Sequence, residues 1–291
     1  MKILNTINFI LNHRLNSDKK LKVLFKYIYW QFLSKIFKRN RVINYGTKTR
    51  LIIKDGYTSA TGCYYCGLIE FEIMGFILHF LNENDLFIDV GANVGTFTLL
   101  ASSEKNANSI CFEPDLNAFN YLNENILLNN LNNVVTHNIG VSSKMETLKF
   151  TTTKGAMNHV AVNDQNEIIN VKFDSIDNKC KIEKPTVIKI DVEGYEKEVI
   201  LGVTNTLNNN YLKAVIIECN TQNEKYKYSF SEIEAILNNN GFEKYDYDPF
   251  KRQLIKLMTN DPLNLIFIRD YNFVKQRLIN SAKVKFNDIS F

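Results

Sequence analysis

The sequence predicts an α/β fold in which a doubly wound, parallel sheet is covered by helices on both faces. Two observations indicate this fold. Short apolar runs alternate with helical periodicities from Leu86 to Asn240, which is typical of strand–helix–strand crossovers. A glycine turn joins the first run to a helix, as in the nucleotide-binding units of such sheets. With 291 residues and 45% hydrophobic content, the chain is long enough for one large domain with extensions.

The elements can be predicted in order along the chain. Helices are expected over 20–37, 68–82, 114–128, 195–201 and 231–240. Strands are expected over short runs in 41–55, over 86–90, 109–112, 134–138, 186–192 and 213–219, and after Gly241. A β-hairpin, 147–153 with 168–173, is inserted between the third and fourth strands of the sheet. The segment Thr61–Gly67 is expected to be either an ordinary turn or a loop that could close over a ligand.

The first strand–turn–helix–strand unit predicts a site for a nucleoside cofactor. Its turn reads Asp89-x-Gly91-x-x-x-Gly95, and its second strand ends in Glu113. Glycines let a ligand lie against bare backbone, and an acid after the second strand can accept hydrogen bonds from a ribose diol. Dinucleotide sites have a middle glycine where this chain has Asn93, and Asp89 would repel a pyrophosphate. The spacing therefore favours S-adenosylmethionine, which carries a sulfonium and an amino group.

Polar residues at the carboxyl ends of the predicted strands are the candidates for the site. Ligands of open α/β sheets bind beyond these ends, so the side chains there are expected to meet. The candidates are Asp89 and Asn93, Glu113, Asn138, Asp191 and Glu193, and Glu218.

Three segments of the chain resemble the FkbM family of S-adenosylmethionine-dependent methyltransferases. They are Asp-Val-Gly-Ala-Asn-Val-Gly (89–95), Phe-Glu-Pro (112–114) and Ile-Lys-Ile-Asp-Val-Glu-Gly-Tyr-Glu (188–196). Phe173-Asp174-Ser175-Ile176 is similar to that family's Leu-Asp-Ser-Leu element, with Phe in place of Leu. The resemblance covers roughly residues 60–220. It implies a Rossmann-like, class I fold with a mostly parallel seven-stranded sheet, and methyl transfer to a hydroxyl oxygen, often of a sugar or a natural product.

The resemblance also implies roles for individual residues. Asp89, Gly91 and Gly95, with Asn93 in the same turn, would hold the amino acid part of the cofactor, Glu113 its ribose, and Asn138 would stand near the adenine. Asp191 and Glu193 would face the methyl donor and the acceptor.

A sugar hydroxyl is a poor nucleophile, so a base near the acceptor is expected to help remove its proton. The candidates are Asp191, Glu193, Glu218 and His159, the last on a loop that could reach over the strand ends. No histidine pair or carboxylate cluster has clear metal-ligand spacing, so no metal is predicted. A magnesium site centred on Asp191 stays an open alternative.

The first fifty residues carry most of the positive charge. Twelve Lys and Arg stand there against one acid, giving +11, whereas the whole chain carries +4 and the remainder therefore −7. Residues 20–37 place Leu21, Leu24, Phe25, Ile28, Phe32 and Ile36 at helical spacing. We predict an N-terminal basic amphipathic extension with short strands over 1–55 and a methyltransferase domain over 56–291. The extension either packs on the body or, through residues 20–38, contacts a membrane.

The five scattered cysteines do not predict disulfides, and the lone Cys63-x-x-Cys66 pair is expected to pack in a reducing cytoplasm. The chain has no signal peptide and no run of about 18 apolar residues, so a cytoplasmic protein is expected, with peripheral contact at the inner face of a membrane as an open alternative.

Two other functions compete with methyl transfer. One is an NAD-dependent oxidoreductase or epimerase. The other is a non-catalytic membrane or nucleic-acid adaptor that uses the basic arm. RNA methylation is a variant of this second function, and it is disfavoured because the remainder of the chain is acidic.

Overall fold

The computed structural model describes residues 2–37, 40–153, 155–162, 167–181, 183–219, 221–259, 264–286 and 289–291. Lys38, the end of the predicted membrane-contacting segment, lies outside the described residues. The helices are α1 (Lys2–Asn12), α2 (Lys20–Phe37), α3 (Thr58–Cys66), α4 (Phe71–Phe80), α5 (Thr96–Leu99), α6 (Leu116–Leu128), α7 (Ile176–Lys179), α8 (Glu196–Leu201), α9 (Thr204–Leu207), α10 (Phe230–Asn239) and α11 (Tyr271–Asn280). A π-helical turn, Leu100–Glu104, continues α5, and 3₁₀ turns span Arg14–Asn16, Gly155–Met157 and Thr221–Tyr226.

In the described part of the chain, the strands form one large sheet and three small ones. They are β1 (Arg41–Asn44), β2 (Arg50–Ile53), β3 (Leu86–Val90), β4 (Asn108–Phe112), β5 (Val134–His137), β6 (Gly140–Val141), β7 (Glu146–Thr151), β8 (Ile168–Asp174), β9 (Val187–Ile190), β10 (Ala214–Glu218), β11 (Glu243–Asp248), β12 (Gln253–Lys256), β13 (Asn264–Ile268), β14 (Lys285–Phe286) and β15 (Ile289–Ser290).

Within the described residues the large sheet has the order β12-β11-β13-β10-β9-β3-β4-β5. The strands from β10 to β5 run parallel, and β13, β11 and β12 extend the sheet antiparallel. The predicted α/β fold with a mostly parallel sheet is thus confirmed. The sheet has eight strands rather than seven, because β12 pairs with β11 as a hairpin at the edge.

Alternate residues of β3 enter two separate apolar cores, as expected for a sheet covered on both faces. Phe87 packs in the core that contains α3 and α4, whereas Ile88 and Val90 pack in the core that contains α8 and α10. The strand order reverses beside β3, whose neighbours are β4 on one side and β9 on the other. Such a reversal opens a crevice at the carboxyl ends of the strands.

The inserted hairpin is confirmed, with β7 antiparallel to β8 and β6 parallel to β8. The predicted loop Thr61–Gly67 is wrong, because most of it forms α3. Gly62 disfavours a helix by itself. It is buried, however, and an added Cβ would lie 2.0 Å from Cδ1 of Ile69, so close packing decides its conformation. The cysteines are free, and Cys63 and Cys66 are buried in this helix as packing residues.

The N-terminal segment packs on the body. Buried residues of α1 and α2, among them Ile10, Val23 and Trp30, share one apolar core with α4. Arg14 donates to Glu72 at 2.8 Å. Residues of 1–55 and of 56–291 share this core, so the predicted division of the chain into these two parts stays a prediction.

No single helix among the described residues is both long and apolar enough to cross a membrane. Helices α3 and α4, which meet at 81°, pass that test only as a bent pair, by length and composition alone. Every residue of α4 except Glu72 is buried in the protein.

Candidate active site

A cleft of about 1060 Å³, including its open mouth, lies at the carboxyl ends of β3, β4, β9 and β10. This is the crevice beside the reversal in strand order, where open α/β sheets bind ligands. The predicted residues that line it are Asp89, Gly91, Asn93, Glu113, Asp191, Glu193 and Glu218. The structure therefore brings together residues that are far apart in the sequence.

Three residues of the turn after β3 have a left-handed backbone conformation. Gly91, Asn93 and Gly95 have φ of 78°, 50° and 87°, a region that favours glycine and tolerates asparagine. An added Cβ at Gly91 would lie 1.8 Å from the carbonyl oxygen of Asp191. Glycine is therefore required where the turn meets the end of β9. Gly95 directly precedes α5 and does not line the cleft.

Asp89 offers one unsatisfied oxygen at the base of the cleft. Its side chain is only 1% exposed, and its Oδ2 accepts from the hydroxyl of Thr98 at 2.7 Å. Its Oδ1 has no hydrogen-bond partner among the described residues, and neither do Oδ1 of Asn93 and Oγ of Ser59, which line the same cleft. Buried polar atoms are normally hydrogen-bonded, so three such oxygens in one cleft indicate a polar ligand.

Glu113 is fixed by the backbone around it. Its Oε2 accepts from the amide of Asn93 and its Oε1 from the amide of Asp115, both at 2.8 Å. Burial raises the pKa of Glu113 to about 8, whereas these two amides favour its ionised form. Each oxygen keeps a further lone pair that could accept from a ribose hydroxyl.

Lys189 is the buried cation of the site. Its side chain is 3% exposed, and its Nζ lies 2.8 Å from Oδ2 of Asp191 and 4.6 Å from the centre of the Phe97 ring. Burial lowers the pKa of Lys189, but Asp191, Asp89 and Glu70 raise it more, so the net shift is upward. One lysine thus balances several carboxylates at the floor of the cleft.

Glu193 and Glu218 hold protons more tightly than ordinary glutamates. Burial and the charge of Asp191 raise the pKa of Glu193 to about 7 and that of Glu218 to about 9. Glu193 also accepts a short hydrogen bond from Nε2 of Gln222. Carboxylate oxygens of Asp191, Glu193 and Glu218 all lie within 4.8 Å of one another. Oxygens at this spacing are compatible with a divalent cation, so the expected absence of a metal stays a prediction.

Two predicted site residues lie elsewhere. Asn138 is exposed and does not line the cleft; its Nδ2 donates to the carbonyl oxygens of Glu113 and Pro114 at 2.8 and 3.2 Å. It supports the turn after β4, and its predicted position near the adenine stays a prediction. His159 is 2% exposed and does not line the cleft, and its Nδ1 lies 2.9 Å from the carbonyl oxygen of Met157. This placement argues against the predicted role of His159 as a base.

Sequence reasoning missed several residues that line the cleft. Glu70 directly precedes α4, and burial raises its pKa to about 7. Asn158, next to His159, lines the cleft and donates to Oδ2 of Asp115 at 3.0 Å. Lys189 had a readable signal, because a lysine inside an apolar strand needs a buried partner. Asn158 had none, since its approach depends on how the hairpin loop folds back, and the approach of Glu70 depends on how α4 packs.

The comparisons with known proteins agree with this geometry. Residues 89–244, more than half of the chain, match the model of the methyltransferase FkbM domain. The chain belongs to the FkbM methyltransferase family. Residues 89–244 are therefore a methyltransferase domain whose cofactor is S-adenosylmethionine. This assignment decides against an NAD-dependent oxidoreductase and against a non-catalytic adaptor.

One sequence relative and two solved structures show how far the similarity extends. Hexuronic acid methyltransferase AglP of Haloferax volcanii is 32% identical over 152 residues, which are 51% of this chain and 62% of that protein. The chain thus spans less than two thirds of that relative. The structure of methyltransferase FkbM from Methylobacillus flagellatus KT has a TM-score of 0.44 and 15% identity, covering 64% of this chain and 44% of that one. M. jannaschii TYW2 in complex with AdoMet has a TM-score of 0.38 and 16% identity, covering 79% and 86%. Because both TM-scores are below 0.5, neither structure bears on function.

Proposed function

We propose that this protein is an O-methyltransferase that uses S-adenosylmethionine to methylate a hydroxyl group of a sugar or glycan. The proposal rests mainly on the carboxyl groups of Asp191, Glu193 and Glu218, which lie together in one cleft of a methyltransferase domain. The same cleft contains Asp89, whose Oδ1 has no hydrogen-bond partner among the described residues. The sugar part is supported by the similarity to a hexuronic acid methyltransferase. A role in polysaccharide biosynthesis would follow.

The residues of the cleft fit the cofactor. The free Oδ1 of Asp89 suits an ammonium group, the glycine turn leaves room beside the backbone, and Glu113 suits the ribose. When bound, S-adenosylmethionine supplies an electrophilic methyl group on a positively charged sulfur. Asp89, Gly91, Asn93 and Glu113 would hold it.

Glu193 is the best candidate for the base. A base works best when its pKa lies near the working pH, and burial raises the pKa of Glu193 to about 7. The pKa of Glu218 is raised to about 9, so Glu218 is mostly protonated at neutral pH and suits a hydrogen-bond donor. Asp191 is held by Lys189, which makes it better suited to orienting than to accepting a proton.

The rest of the lining serves alignment and exclusion of water. Methyl transfer to an oxygen needs donor and acceptor in line and protection from solvent. Phe112 from β4, Phe150 from β7 and Phe173 from β8 form apolar walls of the cleft. The inserted hairpin thus contributes Phe150 and Phe173 to the wall of the cleft.

The test is methyl transfer from labelled S-adenosylmethionine to a panel of neutral sugars, hexuronic acids and their glycans. We expect turnover with at least one sugar class, and we expect Glu193→Gln to turn over roughly a hundredfold more slowly, or slower still. Glu124→Gln, which changes an exposed carboxylate outside the cleft, serves as the matched control. No transfer to any sugar or glycan of the panel, or equal turnover by Glu193→Gln and the control, would refute the proposal.

A further inference from the structure

Helix α2 presents two apolar faces, one buried in the protein and one exposed along the described part of the helix. Val23, Tyr27 and Trp30 are 3%, 7% and 1% exposed and pack in the core. On the opposite side an exposed stripe runs the length of the helix, consisting of Leu21, Phe25, Ile28, Phe32 and Ile36, which are 76%, 71%, 55%, 54% and 59% exposed. Isolated exposed apolar residues are common on proteins, but a continuous stripe indicates an interaction site.

The stripe is narrow and bordered by lysines. At 3.6 residues per turn, its five side chains fall within a sector of roughly 80° around the helix axis. Lys35 borders the sector on one side and Lys22 on the other, and both are exposed. Tyr29, 50% exposed, lies at the same border as Lys22. An apolar stripe with aromatic side chains and flanking lysines is the pattern of helices that lie in a lipid interface.

The charge of the N-terminal segment distinguishes between possible binding partners of the stripe, a second copy of the chain and a lipid bilayer. Residues 1–50 carry +11, while the remainder of the chain carries −7. Two copies that met through this stripe would bring two strongly positive segments together, which opposes a dimer at this face. An anionic bilayer offers both an apolar layer for the stripe and negative charge for the lysines. We propose that α2 binds the surface of an anionic lipid bilayer through this stripe.

The position of α2 links this surface to the cleft. The rings of Trp30 and Tyr64 lie 6.3 Å apart and those of Tyr27 and Tyr65 lie 5.5 Å apart, so α2 packs directly on α3. The first turn of α3 contributes Ser59 to the lining of the cleft. A bilayer under α2 would therefore be separated from the active site by one helix. Such docking would hold the enzyme at a membrane during methyl transfer.

The test is co-sedimentation of the full chain with vesicles, without methyl donor or acceptor, so the result does not depend on the proposed activity. Vesicles of phosphatidylcholine alone are compared with vesicles containing phosphatidylglycerol. The stripe variant replaces Leu21, Phe25 and Phe32 by Gln. The matched control replaces Leu127, Met145 and Met258 by Gln, which are also well exposed but lie elsewhere.

We expect wild type and the control to bind the anionic vesicles, and the stripe variant to bind at least about tenfold more weakly. Lys22→Gln and Lys35→Gln should each weaken binding about fivefold at low salt. Unchanged melting temperatures of the variants would show that their folds are intact. Equal binding by the stripe variant and the control, or no binding by the wild type, would overturn the proposal. A wild-type dimer that the stripe variant converts to a monomer would overturn it as well, because the stripe would then join two copies.

Discussion

Replacing Lys189 with methionine tests whether one buried cation holds the acidic floor of the cleft together. Its Nζ lies 2.8 Å from Asp191, and Asp89 and Glu70 also act on its charge. Methionine keeps most of the side-chain volume but leaves these carboxylates without a counter-charge. Removing one partner of a buried ion pair costs about 3–5 kcal/mol, because the other charge stays buried and unpaired. We therefore expect Lys189→Met to lower the free energy of unfolding by about this amount at pH 8.

The pH dependence of this loss has a defined sign. Without Lys189, the pKa values of the neighbouring carboxyl groups rise in the folded state. A carboxyl group with a raised folded-state pKa costs stability above its unfolded-state pKa of about 4, and this cost disappears below it. The loss should therefore be larger at pH 8 than at pH 5.

Urea denaturation at both pH values measures the effect, with Lys213→Met as the control. Lys213 pairs with Asp270 at 3.0 Å, but the two side chains are 20% and 46% exposed, so about 0–1 kcal/mol is expected. A loss in Lys189→Met no larger than that of the control, or one that does not change with pH, would refute the reasoning.

Three further predictions concern the cofactor turn and the base. Gly91→Ala should destabilise the fold by several kcal/mol more than Gly56→Ala, as measured by urea denaturation. Both glycines have positive φ. An added Cβ at Gly91 would lie 1.8 Å from the carbonyl oxygen of Asp191, whereas one at Gly56 would meet no atom within 4 Å. Equal losses would show that the turn tolerates a side chain. Glu113→Gln should weaken S-adenosylmethionine binding about tenfold to a hundredfold in calorimetry, because one of the two oxygens that accept from backbone amides and could accept from the ribose becomes an NH2 group, which only donates. Undiminished binding would contradict that role. The kcat/KM of the wild type should rise with pH through about 7, as Glu193 loses its proton, and Glu193→Gln should lack this limb. A wild-type profile that is flat from pH 6 to 8 would argue against Glu193 as the base.

The fold could be predicted from the sequence because its elements have strong local signals. The apolar run before Asp89, the glycine turn and the helix after Pro114 predict their own conformations. The eighth strand, α3 and α11 were missed, since each depends on burial against distant parts of the chain. Gly62 within α3 is the clearest case, because packing against Ile69 outweighs its low helix propensity.

The site could be predicted where strand ends determine position. Asp89, Glu113, Asp191, Glu193 and Glu218 meet in one cleft because parallel strands place their carboxyl ends together. His159 lies on a loop and Asn138 follows a strand, and neither side chain lines the cleft. The sequence pattern does not show in which direction such a side chain points. The stripe on α2 was visible in the sequence, but its exposure was not, because a second apolar face packs on the body.

The most direct test of the account is the structure of the methylated product. The enzyme is incubated with S-adenosylmethionine and the panel of sugars and glycans, including a glycan that contains hexuronic acid, and each product is analysed by mass spectrometry and NMR. We predict that the sugar gains one methyl group on a hydroxyl oxygen and that Glu193→Gln forms this product much more slowly. A methyl group on nitrogen or carbon, or no transfer to any sugar by protein that binds S-adenosylmethionine, would contradict the account.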